Sequence, residues 1–253
     1  MKPIVSKLSV RLVGLLLFSL CFSASAEEAD AAKDILKKMS AEIASLQKFV
    51  ITGDGYTDAR LPAGQIIEHS RDVTLRMSRP DTLRISNYDE ESLSEIFFGE
   101  GVLSVYREKE GFYAQTELPL DMNAAVDFAI NEIGIDAPVL DFVSSDVAGH
   151  LLKAAESIDY FGLSRFRGQN HHHIGIRTAE TDVQVWVSAE GSPLPRKMSI
   201  SSKWDAGAPR SVYFFDWTVD PGLEPKSLRF VPPEGSSRIE FDLDTAECGE
   251  SAC

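Results

Sequence analysis

The chain has 253 residues, of which 43% are apolar, 25% charged and 9% aromatic, with 39 acidic side chains against 25 basic ones. This excludes a collagen-like, low-complexity or fully disordered chain and leaves enough apolar material for a sizeable core. A formal charge of −14 makes phosphate backbones and anionic membrane surfaces poor partners, because such a surface has little to displace their counterions.

Met1 to Ala26 carries Lys2, Lys7 and Arg11 and no acid, then an apolar run from Leu12 to Phe22, then Ala24-Ser25-Ala26. A basic start, an apolar middle and small residues at the end predict an export signal cut after Ala26. The apolar run is about half of the ~20 residues that a spanning helix requires. No later segment is long enough, so no transmembrane anchor is expected. Cys21 is not read as a lipid-anchor site, since Phe18 and Leu20 are bulky where a small residue ordinarily precedes such a cysteine. Without this segment the chain keeps 22 basic and 39 acidic residues, a net charge of −17, and is expected in the periplasm.

From Ala29 to Leu46, the residues Ile35, Leu36, Met39, Ile43 and Leu46 recur at helical spacing, with Asp30 as the expected cap. The period then shortens. Gln65–Met77, Thr82–Ser86, Ser94–Phe98, Val102–Tyr106 and Phe112–Thr116 are short β-prone runs parted by Gly, Pro, Asn or Asp. They read as an antiparallel meander, with Gly99-Glu100-Gly101 and Glu110-Gly111 at hairpin turns. A second helix is expected from Asp121 to a stop at Gly134, and a short third one through Val147, Leu151, Leu152 and Ala155. Strands resume from Ile158 to Phe241, with Pro193-Leu194-Pro195 and Pro232-Pro233-Glu234-Gly235 at turns. Helix, strands, helices, strands is the order of an α+β fold with helices on one face of a large antiparallel sheet. Residues 27–241 are expected to form one domain, followed by an acidic, disordered tail over 242–253. Cys248 and Cys253 are the cysteines that survive export, and an even count in an exported chain predicts a disulfide.

The stretch from His171 to Val187 can be paired on paper. With a turn over Thr178 to Thr181, Arg177 faces Asp182, Ile176 faces Val183, Ile174 faces Val185 and His173 faces Trp186. Alternation then puts Ile174, Ile176, Val183, Val185 and Val187 on one face, and His171, His173, Arg177, Asp182, Gln184 and Trp186 on the other. A slip of one residue would scramble the sorting, which supports the register. His171 and His173 project to one side and are weak candidates for metal ligands; a third ligand is required, and the nearest, Asp182, is more simply paired with Arg177. No metal or other cofactor is therefore assigned. G-x-S-x-G, H-E-x-x-H, G-x-x-x-x-G-K and C-x-x-C are all absent from the sequence, and an enzyme is not expected.

Several segments resemble one family when taken in order: Arg79-Pro80-Asp81-Thr82-Leu83-Arg84, Phe98-Gly99-Glu100-Gly101 leading to Leu103-Ser104-Val105-Tyr106, and His173-Ile174-Gly175-Ile176-Arg177. Asp182-Val183-Gln184-Val185-Trp186, Pro193-Leu194-Pro195-Arg196-Lys197, Asp216-Trp217 and Phe230-Val231-Pro232-Pro233-Glu234-Gly235 follow. The chain resembles the predicted periplasmic proteins of domain-of-unknown-function family 2092, over about Ala29 to Phe241. That family is similar to the wider group of LolA, the outer-membrane lipoprotein carrier. The resemblance implies a half-open barrel with helices over its concave side, enclosing an apolar cavity for acyl chains. Its motif residues His173, Arg177, Asp182, Gln184, Trp186, Pro195, Arg196 and Trp217 are read as structural.

Two functions are carried forward. One is a periplasmic carrier for an apolar small molecule, lipid or lipoprotein acyl chain. Its cavity lining would be Ile174, Ile176, Val183, Val185 and Val187, with Phe128 and Ile130 from the second helix. The other is an envelope protein-interaction module, for which Tyr213, Phe215 and Trp217, alternating on one strand face with Trp204 near them, are the marker if that face is solvated and not packed under a helix.

Overall fold

The computed structural model describes residues 10–118, 121–133, 138–203 and 209–241, with backbone alone over 10–26. Gly134, Trp204, Cys248 and Cys253 lie outside these residues, and with them the expected helix stop, the expected disulfide and the acidic tail. Helix α1 runs unbroken over Val10–Ser45, so the predicted export segment and the predicted amphipathic helix share one helix. Asp30 is consequently mid-helix, not a cap, and pairs with Lys33 at 3.2 Å. Ala32, Leu36, Met39 and Ile43 form a fully buried stripe along α1.

The strands are β1 (Lys48–Arg60), β2 (Ile66–Ser78), β3 (Thr82–Asp89), β4 (Leu93–Gly99), β5 (Val102–Arg107), β6 (Phe112–Glu117), β7 (Ser157–Phe166), β8 (Gln169–Arg177), β9 (Thr181–Ser188), β10 (Pro195–Ser202), β11 (Arg210–Val219) and β12 (Ser237–Ile239). All lie in one twelve-stranded sheet of order β12-β6-β5-β4-β3-β2-β1-β11-β10-β9-β8-β7. Every neighbouring pair is antiparallel except β12 with β6. The sheet is unclosed, with β12 and β7 as its two edges.

The meander is as expected from the sequence, but β1, the strand that joins the two halves of the sheet, is not evident there. Gly53, Asp54, Gly55 and Asp58 make it read as a loop. The two glycines are there because rings and backbone occupy their side-chain space. A Cβ at Gly55 would fall 2.8 Å from Tyr213 Cε1, and one at Gly53 would fall 2.5 Å from the Phe214 carbonyl oxygen.

Between the two halves lie α2 (Met122–Asn131), a 3₁₀ turn over Pro138–Val143 and α3 (Val147–Leu152). Asp121 caps α2 by accepting a hydrogen bond from the Ala124 N–H at 3.0 Å, and Asp146 caps α3 through Gly149. These helices and α1 cover one face of the sheet and share a single apolar core with it. On the opposite face, Phe230 packs on Phe97 and Tyr113 beside a 3₁₀ turn at Pro225–Leu228. Strong twist brings distant strands together: Phe166 on β7 and Phe214 on β11 are four strands apart, roughly 19 Å on a flat sheet. Their ring centroids are 6.3 Å apart.

Candidate functional site

The β8–β9 hairpin has the expected register, pairing Arg177 with Asp182, Ile176 with Val183, Ile174 with Val185 and His173 with Trp186. Its two faces differ in chemistry as alternation requires. The inner face meets the helices: Ile174, Val185 and Val187 have no accessible surface and Ile176 almost none, while Val183 is partly buried. A void wide enough for water would leave part of their surface accessible, so these side chains are enclosed by packed neighbours. The fully buried residues of α1 belong to the same cluster. With the helical cover in place, helix side chains occupy the space over them. Phe128 packs on the rim of the cluster, whereas Ile130 is 36% exposed and stands outside it.

Tyr213 and Phe215, which would mark a partner surface only on a solvated face, are buried. Phe142 from the 3₁₀ turn sits edge-on to Phe215 at 5.0 Å and tilted against Trp217 at 5.8 Å. Trp217 also donates its indole N–H to the Pro195 carbonyl at 2.8 Å. Alternation places all three on one face correctly, but pattern alone does not show which face the helices cover.

The outer face carries a stacked row that runs from β7 to β11. Phe161 lies 4.8 Å from His173, which stacks on Trp186 at 4.2 Å and 13°. Lys197 Nζ stands 4.2 Å from the Trp186 centroid and 5.4 Å from that of Phe214, which also receives the Arg167 guanidinium at 4.9 Å. His173 Nε2 donates to Gln184 Oε1 at 2.9 Å, and Asp182 takes Lys203 at 3.0 Å and Arg177 at 3.7 Å. A groove of 340 Å³ opens between Phe161, His173, Arg177, Asp182 and Gln184. Gly175 forms its floor; a Cβ there would fall 2.6 Å from the Phe161 ring. Phe161 and Lys197 do not stand out in the sequence, because irregular pairing between Tyr160 and Leu163 in β7 and between Pro195 and Lys197 in β10 breaks the alternation that would have sorted them.

The three histidines are dispersed. His171 is buried under Phe166 at 4.0 Å, and its Nδ1 donates to the Gln169 carbonyl at 3.1 Å. His172 faces inward, with its Nδ1 2.8 Å from the Tyr160 hydroxyl. Burial depresses the pKa of all three below the ordinary value, with Lys38 adding to the effect at His172, Arg196 at His171 and Lys197 at His173. Among the described residues no group of three His, Cys, Asp or Glu is placed to hold a metal ion.

The profile of a family described as "Predicted periplasmic protein (DUF2092)" matches residues 32–242. The chain belongs to the DUF2092 family. That membership agrees with the motifs read along its sequence. No curated protein matches this DUF2092 chain. An uncharacterized conserved protein of Thermus thermophilus is similar in structure at 10% identity and a TM-score of 0.50, over 83% of this chain and 99% of that one. At that identity the likeness is one of fold. Weaker likeness is found to the lipoprotein LppX of Mycobacterium tuberculosis, with 13% identity, coverage of 77% and 98% and a TM-score of 0.44. A LolA superfamily protein of Nitrosomonas europaea has 10% identity, coverage of 79% and 97% and a TM-score of 0.35. Among the described residues of the DUF2092 chain, no helix is long and apolar enough to cross a membrane.

Proposed function

We propose that this DUF2092 protein is exported, cut after Ala26, and binds an acyl chain of a lipid or lipoprotein on the inner face of its sheet. One observation carries the reading. Among the described residues, the inner face presents a broad apolar surface that is closed by separate helices and not by a second sheet. Helices joined to a sheet through loops can withdraw from it without breaking a strand ladder. Ile174, Ile176, Val183, Val185 and Val187 then exchange helix side chains for acyl carbons, with Phe128 at the rim. Each buried CH₂ contributes about 0.8 kcal/mol, so a chain of ordinary length can compensate for the helix contacts it replaces. Mass spectrometry of a solvent extract from gently purified protein is expected to find a stoichiometric lipid, and a fluorescent fatty acid is expected to bind saturably. A clean extract together with no binding of the probe overturns the proposal.

A second reading, an envelope protein-interaction module, is supported by a different observation. Phe161 and Leu163, on opposite faces of edge strand β7, are 58% and 61% exposed. Crosslinking from position 163 in intact cells is expected to capture a protein partner on this reading, and to capture none on the first.

A further inference from the structure

A second site lies on the outer face, where the β7–β8 turn folds over β10 and β11. Its pocket has a volume of 280 Å³ and is bounded by Phe166, Arg167, Gln169, His171, Arg196 and Asp216. That is below the usual range for drug-sized ligands and suits a compact polar group. Two irregular backbone features build it. Arg167 and Gly168 both have positive φ, 47° and 79°, which makes a tight two-residue turn and lays Arg167 across the sheet to Asp216 at 3.2 Å and Asp54 at 3.5 Å. The bulge in β10 sends Arg196 and Lys197, neighbours in sequence, to the same outer face.

The charge balance there is unusual for so acidic a chain. Asp216 and Asp54 share Arg167 as their partner. Among the described residues no carboxylate lies within ion-pair distance of Arg196 or Lys197. Arg210 adds further positive potential at Lys197. The Nε of Arg196 is sealed from solvent and has no hydrogen-bond partner. A buried guanidinium donor without an acceptor is costly, and a small shift of the Arg196 side chain toward the pocket would give it one. A fully buried His171 whose Nδ1 is bonded to Gln169 holds the wall in place.

We propose that this pocket binds a phosphate group, with Arg196 as the principal ligand and Arg167 and Gln169 as flanking donors. Guanidinium groups arriving from the β7–β8 turn and from β10, with an amide beside them, suit an anion whose oxygens point in several directions; a carboxylate would use only one fork. The phosphate can belong to a lipid headgroup or to a free ion. The site is independent of acyl binding, since it lies on the opposite face of the sheet.

Titration of the ¹⁵N-labelled protein with inorganic phosphate, and separately with a short-chain phosphatidic acid below its micelle concentration, tests this. Saturable shifts at the amides of Gln169, His171 and Arg196 are expected. Arg196→Gln is expected to weaken binding at least tenfold, while Arg238→Gln on distant β12 leaves it unchanged. A phosphatidic acid affinity at least tenfold above that of phosphate, dependent on Arg196, identifies a headgroup; equal affinities identify the free ion. No saturable shift with either probe, or equal binding by wild type and Arg196→Gln, overturns the site. Should Arg196→Gln fail to fold, Arg196→Lys keeps the charge without the fork and is expected to lose affinity several-fold, and shifts mapped away from Gln169 and Arg196 in wild type overturn it as well.

Discussion

Glu95 is 8% exposed and accepts hydrogen bonds from Arg84 at 2.7 and 3.1 Å and from the Ser86 hydroxyl at 2.8 Å. Removing one member of such a set leaves the others buried without partners, and that loss outweighs the value of the pair itself. Glu95→Ala is expected to lower unfolding stability by about 2 kcal/mol in urea titration, less than for full burial because a third of the Arg84 side chain is exposed. Replacing both as Arg84→Met with Glu95→Leu should cost less than Glu95→Ala alone. The histidines make a separate prediction at this scale. A base whose folded pKa lies below its unfolded value stabilises fully above about pH 6.5, and its contribution is lost as pH falls from there toward the folded value. Burial places His171, His172 and His173 in that class. The urea midpoint should therefore fall between pH 7 and pH 5, before the carboxylates titrate. His172→Gln combined with His173→Gln should flatten the slope to the part owed to His171; an unchanged slope would refute the assignment.

At the scale of elements, glycine positions separate rigid neighbours from yielding ones. At Gly53 a Cβ meets the backbone carbonyl of Phe214 on β11, which cannot move without opening the β1–β11 ladder. At Gly175 it meets only the ring of Phe161, which is exposed and free to rotate away. Gly53→Ala is thus expected to cost about 2 kcal/mol or more, and Gly175→Ala under about 1 kcal/mol. The second change should also move Phe161, visible as altered shielding of His173 in NMR spectra. The same elements show what was legible in the sequence. The β8–β9 register could be read residue by residue because its faces alternate without interruption and a one-residue slip exposes the aliphatic side chains of the inner face. Strand β1 was not legible, since its glycines answer to rings and backbone on β11, far away along the chain. The interior above Ile174 and Val185 was legible as apolar but not as filled: residue type records what a surface avoids, not what volume lies against it.

On the scale of the whole molecule, an open sheet has two edges, and each needs protection from another chain. β12 is short, exposed and followed by acidic sequence. β7 is ten residues long and leaves Phe161 and Leu163 exposed, and its local defence is the irregular pairing around Gly162, where φ is +84°. Net charge is the remaining defence. At a formal charge of −14, two copies approaching edge to edge repel each other over roughly a Debye length, about 10 Å at 0.1 M salt and 3 Å at 1 M. Raising the salt should therefore shift the protein from monomer toward self-association, measured by sedimentation velocity at fixed concentration. Leu163→Lys places a charge on the edge itself and touches no core residue, so stability should stay within about 0.5 kcal/mol while association at high salt is lost. If Leu163→Lys associates as wild type does, β7 is not the contact, and the bulge at Gly162 protects that edge without help from the surrounding charge.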